Sequence, residues 1–179
     1  MAEKGKEALT ILGVDPGYAI LGWGIIEYRS SIHRLVAYGT VETDKDMPMP
    51  LRLKEIYTGL TALIEKYRPD TCAIEELFFN SNQKTAIKVG EARGAAIVAC
   101  AEAGLEVFEY TPLQIKQALT GYGRADKSQM QEMVRQILGL ERAPRPDDAA
   151  DAVAAAICHA NSSVYLNRVA LSKAQAAGR

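Results

Sequence analysis

Apolar and polar positions change period along this chain, and each change marks an element. From Leu9 to Val14 the residues are apolar and β-branched, and Asp15-Pro16-Gly17 ends the run because proline and glycine break a strand. Gly22 to Tyr28 predicts a second strand. His33 to Thr43 predicts a third, with Leu35, Ala37, Gly39 and Val41 alternating against more polar neighbours. Short links between the three predict an antiparallel meander. After Pro48 and Pro50 the period lengthens: Leu51, Leu53, Ile56, Leu60, Leu63, Ile64 and Tyr67 recur at helical spacing until Pro69. Thr71 to Leu77 returns to a short apolar run, a buried fourth strand that ends in carboxylates. Lys84 to Ala103 predicts an alanine-rich helix with small residues along one side, closed by Gly104. Leu105 to Tyr110 predicts a fifth strand, Pro112 to Leu119 a short helix, Thr120 to Lys127 a loop, and Ser128 to Leu138 a further helix. The last helix starts after Pro146 and runs to about His159.

Strands four and five are reached by helical crossovers and so run parallel to strand one. The fold class is α/β: a mixed five-stranded sheet, three antiparallel strands and then two parallel ones, flanked by helices. Residues 1–8 read as an N-terminal extension and 9–160 as one domain. Residues 161–179, whose charges Arg168, Lys173 and Arg179 are all positive, read as a basic, flexible C-terminal tail.

Composition narrows the function. With 179 residues, 48% of them apolar, the chain has material for one buried core and not for a multidomain machine. Charged residues make up 24% and balance to a net charge of −1, which excludes both a disordered acidic segment and a generic basic binder. A polyanion must therefore meet a local patch. The cysteines Cys72, Cys100 and Cys158 lie in apolar runs with no Cys-x-x-Cys spacing, which fits buried thiols in a reducing compartment and argues against zinc. The N-terminal residues lack an apolar targeting segment, and no apolar run reaches the roughly 18 residues that span a bilayer. These features predict a soluble, cytoplasmic protein.

Four acids stand where structure alone does not call for one: Asp15 at the end of strand one, Glu75 in strand four, and Asp148 and Asp151 at the start of the last helix. A lone buried carboxylate costs several kcal/mol unless a cation or donor compensates it. Parallel strands one and four bring Asp15 and Glu75 to the same sheet edge. Asp148 and Asp151, at i and i+3, share a helix face with Cβ atoms about 5 to 6 Å apart. A convergence of hard oxygen donors without histidine or cysteine suits Mg²⁺, with Mn²⁺ as its substitute. Two such ions per site activate water and stabilise the leaving oxygen of a phosphodiester in many nucleases.

The segments Ile11-Leu-Gly-Val-Asp-Pro-Gly17, Ala73-Ile-Glu-Glu-Leu-Phe78, Glu91-Ala-Arg-Gly94 and Asp148-Ala-Ala-Asp-Ala152 resemble, in the same order, the motifs of the RuvC family of bacterial Holliday junction resolvases. The resemblance spans residues 9 to 160. It implies an RNase H-like fold, a homodimer, and a metal-dependent endonuclease that nicks two opposing strands of a four-way DNA junction, leaving 5′-phosphate and 3′-hydroxyl ends. It further implies cooperation with the RuvA and RuvB branch-migration proteins. The family's metal-binding acids fall on Asp15, Glu75, Asp148 and Asp151. Asp147, which the motif does not require, lies i, i+4 from Asp151 and competes with Asp148 as a ligand. Strand alternation places Glu76 on the face opposite Glu75. Phe78 occupies the position of an aromatic ring that stacks on bases near the junction centre, with Phe79 beside it; such stacking is worth about 1 to 3 kcal/mol. Lys116 and Lys127 match basic positions beside the scissile phosphate. Arg93, in the third segment, joins them as a DNA contact. From residue 81 to 145 nine basic residues face seven acids, so charge alone does not mark a DNA surface.

Each residue also has a plainer reading. Asp15 is an ordinary turn former, and Asp148 an ordinary first-turn acid of a helix. Neither reading extends to Asp151 in an apolar helix, or to Glu75 between core-like neighbours. Phe78 alone reads equally well as core, and His33 and His159 read as structural. Two other classes of function stay open. An actin-like ATPase or phosphate-binding domain shares the Asp-x-Gly turn, but needs two such domains around its nucleotide. A catalytically silent junction-binding module would not need the four acids.

Overall fold

The computed structural model describes residues 8–77 and 83–177. Its strands are β1 (Leu9–Asp15), β2 (Ile20–Arg29), β3 (Ile32–Glu42), β4 (Thr71–Glu75) and β5 (Glu106–Tyr110). Its helices are α1 (Met49–Tyr67), α2 (Gln83–Glu102), α3 (Pro112–Thr120), α4 (Lys127–Ile137) and α5 (Asp147–Ala177). The sheet order is β3-β2-β1-β4-β5, with β1 to β3 antiparallel and β4 and β5 parallel to β1. This is the mixed, RNase H-like sheet expected from the sequence.

Strand parity divides the core into two layers. On β1, Leu12 and Val14 point to one face and meet Leu21, Ile25, Cys72 and Ile74, covered by Ile56 and Leu60 of α1 and Ala92 and Ala96 of α2. Ile11 points to the other face, where Ala73, Tyr110 and Ile26 meet Ile115 and Leu119 of α3, Met130 and Val134 of α4, and Val153 and Ile157 of α5. Two-residue alternation puts Asp15 on this second face with Ile11, and Glu75 there with Ala73. Both acids therefore lie on the side that α5 covers.

Glycine lets α5 come close. Gly13 pairs with Gly24, and Asp15 with Gly22. A Cβ on Gly13 would lie 2.0 Å from the Ala152 carbonyl oxygen, and one on Gly22 would lie 2.0 Å from that of Asp148. The N-terminal half of α5 thus rests on bare backbone, with its acids beside the end of β1. Capping fixes the two shorter helices. Thr111 and Gln114 form a capping box at α3, and Asp126 and Gln129 form another at α4.

Three of the boundaries that differ from the sequence reading bear on the site. The α5 backbone continues to Ala177, where periodicity ends the helix near His159 and leaves 161–179 as a tail. The added residues are rich in alanine and contain no glycine or proline before Gly178, so nothing local stops the helix. Lys127 opens α4 rather than closing the preceding loop, because Asp126 takes the N-cap. Strand β4 ends at Glu75 instead of Leu77, so alternation does not reach Glu76. Among the described residues, no helix is long and apolar enough to cross a membrane.

Candidate active site

The four acids reach one place by three routes. Asp15 terminates β1, Glu75 terminates β4 beside it, and the first turns of α5 carry Asp148 and Asp151 over the glycine-lined backbone. Their charges act on one another. Burial, and then the negative charges of Glu75, Asp151 and Asp148, push the Asp15 carboxyl up to about 8, against the pull of Lys127. Burial and the charge of Asp151 push Glu75 up to about 7, opposed by Lys116 and Lys127. Asp151 is raised mainly by burial, with Lys127 opposing.

Glu75 stands between two depressions. One, of about 200 Å³, is lined by Glu75, Asp151, Lys116 and Lys127 with Pro112, Ile115, Met130 and Ala154. The other, of about 230 Å³, is lined by Asp15, Pro16, Glu75, Glu76, Leu77, Val89 and Pro112. Glu76 therefore borders the same cavity as Asp15 and Glu75, not the opposite face of the strand. Its backbone N–H donates to the Tyr110 carbonyl at 2.8 Å, so the chain leaves β4 still tied to the end of β5.

Lys127 is the cation nearest the acids. Its Nζ lies 3.4 Å from Asp151 Oδ2 and 3.3 Å from Asp147 Oδ2. Burial works against its charge, but Asp151 and Asp147 outweigh that and raise its pKa. Asp147 is held elsewhere as well: Gln131 Nε2 donates to its Oδ1 at 2.8 Å, and Arg145 Nη1 donates to the same oxygen at 2.6 Å. These donors, Lys127 foremost, keep its carboxyl below the usual range. Asp147 thus faces α4 and its basic partners. Asp148 is the one of the two whose charge bears on Asp15. Sequence spacing gave no sign of the Gln131 and Arg145 contacts, since Gln131 comes from another helix.

Among the described residues, no three His, Cys, Asp or Glu side chains are placed to enclose an ion as they stand. The electrostatics point the other way, to acids near enough to hold each other's protons on. A half-buried set of mutually repelling carboxylates is one that a cation would relieve. All-oxygen donors fit a hard divalent ion.

Of the DNA contacts expected from sequence, Lys116 and Lys127 line the cavity with Glu75 and Asp151. Arg93 points inward: its side chain is 17% exposed, with Nη2 at 2.6 Å from Glu109 Oε2 on β5. Among the described residues the same Nη2, like Nε, makes no contact of hydrogen-bonding geometry, so this is a charge contact at an unfavourable angle. Phe78 and Phe79 lie outside the described residues. Of the histidines, buried His159 bonds Tyr110 Oη through Nδ1 at 2.7 Å, and His33 Nε2 meets Asn161 Oδ1 at 3.1 Å. Both serve packing between α5 and the sheet.

Comparison with known proteins follows the same lines. Residues 11–159 match the family model described as crossover junction endodeoxyribonuclease RuvC. The chain is 57% identical over 161 residues to the crossover junction endodeoxyribonuclease RuvC of Chloroflexus aurantiacus, covering 90% of this chain and 98% of that one. Among solved structures, RuvC of Thermus thermophilus superposes with a TM-score of 0.82 at 40% identity, over 88% of this chain and 96% of that one. The T. thermophilus RuvC in complex with a Holliday junction substrate gives 0.81 at 37% identity, with the same coverage.

Proposed function

This chain belongs to the RuvC family of crossover junction endodeoxyribonucleases, and we propose that it resolves four-way DNA junctions by metal-dependent hydrolysis of two symmetry-related phosphodiesters. The observation that carries the reading is the meeting of Asp15, Glu75, Asp148 and Asp151 at one sheet edge, with Lys116 and Lys127 on its rim. The complex of the Thermus relative with a Holliday junction supports the substrate.

In this reading Asp15, Glu75, Asp148 and Asp151 would hold Mg²⁺, or Mn²⁺ in its place, as two ions, which would supply an activated water and charge stabilisation at the leaving oxygen. The protein's own groups do the rest. Lys116 and Lys127 hold the scissile phosphate from the cavity rim and offset charge as it develops. The apolar wall of Pro112, Ile115 and Met130 limits water beside it. Lys127, whose Nζ lies 3.4 Å from Asp151 Oδ2, stands between the acids and the cavity that would take the phosphate. Phe78 stacks on a base near the junction centre, whereas Arg93, turned inward onto Glu109, is not assigned a DNA contact. The working unit is a homodimer, with one site for each of the two nicked strands, acting in the cytoplasm with RuvA and RuvB.

Asp15→Asn tests the assignment. The wild-type protein is expected to nick a four-way junction with Mg²⁺ or Mn²⁺ and not with chelator. The variant should lose about 100-fold or more in single-turnover rate. Its junction affinity should stay within about twofold, since affinity rests on phosphate contacts. Nicking by Asp15→Asn at the wild-type rate would remove the four-acid site.

A further inference from the structure

Arg52, on the first turn of α1, is a buried cation with no acid beside it. The residue is 7% exposed, and among the described residues no carboxylate lies within ion-pair distance of it. Desolvating a guanidinium costs several kcal/mol, which an ion pair would normally offset. Here its partners are neutral. Nε donates to Thr43 Oγ1 at 2.8 Å, Nη2 donates to the Tyr18 carbonyl at 3.2 Å, and the guanidinium carbon lies 3.9 Å from the centre of the Tyr18 ring. Thr43 Oγ1 donates in turn to the same Tyr18 carbonyl at 2.8 Å, and Thr43 N–H donates to Ala19 O at 3.0 Å.

Every one of these contacts ends, directly or through Thr43, on Tyr18 or Ala19. Those residues belong to the four-residue link between β1 and β2, residues 16–19. The link is tight: a Cβ on Gly17 would meet Ile20 O at 1.8 Å. Asp15 is the last residue before it. Gly22, just after it, pairs with Asp15 and carries the Asp148 carbonyl of α5 on its bare backbone. The geometry of the link therefore governs both where Asp15 points and how far it stands from Asp148.

We propose that Arg52, with Thr43, is a positioning residue of the active site: it clamps the β1–β2 link and so fixes where Asp15 stands relative to Asp148 for cation binding. The inference rests on Asp15 being a cation ligand. A planar fork suits the task, because it engages Thr43 and Tyr18 at fixed angles while its face stacks on the ring, and an ammonium does none of these together.

The test compares Arg52→Met, Arg52→Lys and Thr43→Val with the wild type and with Asp15→Asn. Amide hydrogen exchange is read on the metal-free proteins, and Mn²⁺ affinity by calorimetry. In Arg52→Met, exchange at the Thr43 amide, which donates to Ala19 O, should quicken about tenfold or more while β4 and β5 stay protected. The Mn²⁺ dissociation constant should rise about tenfold, junction affinity should hold, and cleavage should fall about 10- to 100-fold with partial recovery in excess Mn²⁺. Thr43→Val should move the same readouts less, and Arg52→Lys should not rescue them. If Arg52→Met does not fold, Thr43→Val decides on the same measurements. Wild-type Mn²⁺ affinity in the folded variants would overturn the proposal, and so would weaker binding accompanied by loss of protection across the whole sheet. Wild-type Mn²⁺ affinity in Asp15→Asn would instead remove the ligand assignment, and this inference with it.

Discussion

Asp15 and Glu75 show what the site costs the protein at the scale of single residues. Burial and neighbouring carboxylates raise them to about 8 and about 7, whereas both ionise near 4 in an unfolded chain. Between those limits the folded state keeps protons that the unfolded state has released. Stability therefore falls as pH rises, from a maximum contribution below about pH 4 to its loss at about pH 8. The difference amounts to a few kcal/mol, to order of magnitude. In chelator, thermal denaturation of the wild type should worsen between pH 5 and pH 8 more steeply than that of Asp15→Asn, and Mn²⁺ should restore stability at pH 8. A wild-type profile no steeper than that of Asp15→Asn would contradict the buried-acid account. Glu75 and Asp151 stood out most plainly in the sequence, because neither a turn nor a helix end accounts for them, whereas Asp15 and Asp148 also fit ordinary structural roles. Contacts between distant side chains were not legible. The hold of Gln131 and Arg145 on Asp147, or of Arg52 on Tyr18, follows from packing that no local period encodes.

Elements carry those residues to one point, and the decisive contact is α5 on β1 and β2. Gly13, Gly22 and Gly24 remove the side chains that would hold the helix away. Gly22→Ala places a Cβ against helix backbone that cannot rotate aside, so it should cost about 1 to 3 kcal/mol or more. It should also push Asp148 away from Asp15. The expected result is a melting temperature lowered by about 3 to 10 °C, together with weaker Mn²⁺ binding. An alanine variant as stable and as tight as the wild type would show that α5 does not need this approach. Period changes located all ten elements, because strand and helix repeats differ and prolines separate them. Their ends were less legible. Asp126 capping moved Lys127 into α4, and the unbroken alanine-rich sequence carried α5 on to Ala177. Glycine pairing across β1 and β2 was visible in the sequence only as residues weak in strand propensity, since their use appears when the helix is in place.

At the scale of the whole molecule, a five-stranded sheet gathers acids from β1, β4 and α5 on one face, with basic residues from α3 and α4 around them. The balanced net charge of the chain hides that local arrangement, which is why composition alone excluded classes of function and did not select one. Family motifs selected it, and chain topology gives the physical reason those motifs lie together. The central claim is that this arrangement cuts four-way junctions in pairs. Mapping nicks on an end-labelled junction beside a matched linear duplex, in Mg²⁺, Mn²⁺ or chelator, tests it most directly. The account predicts paired, symmetry-related nicks on the junction alone, with 5′-phosphate ends and none in chelator. Equal cutting of the duplex, or nicks that persist in chelator, would contradict it.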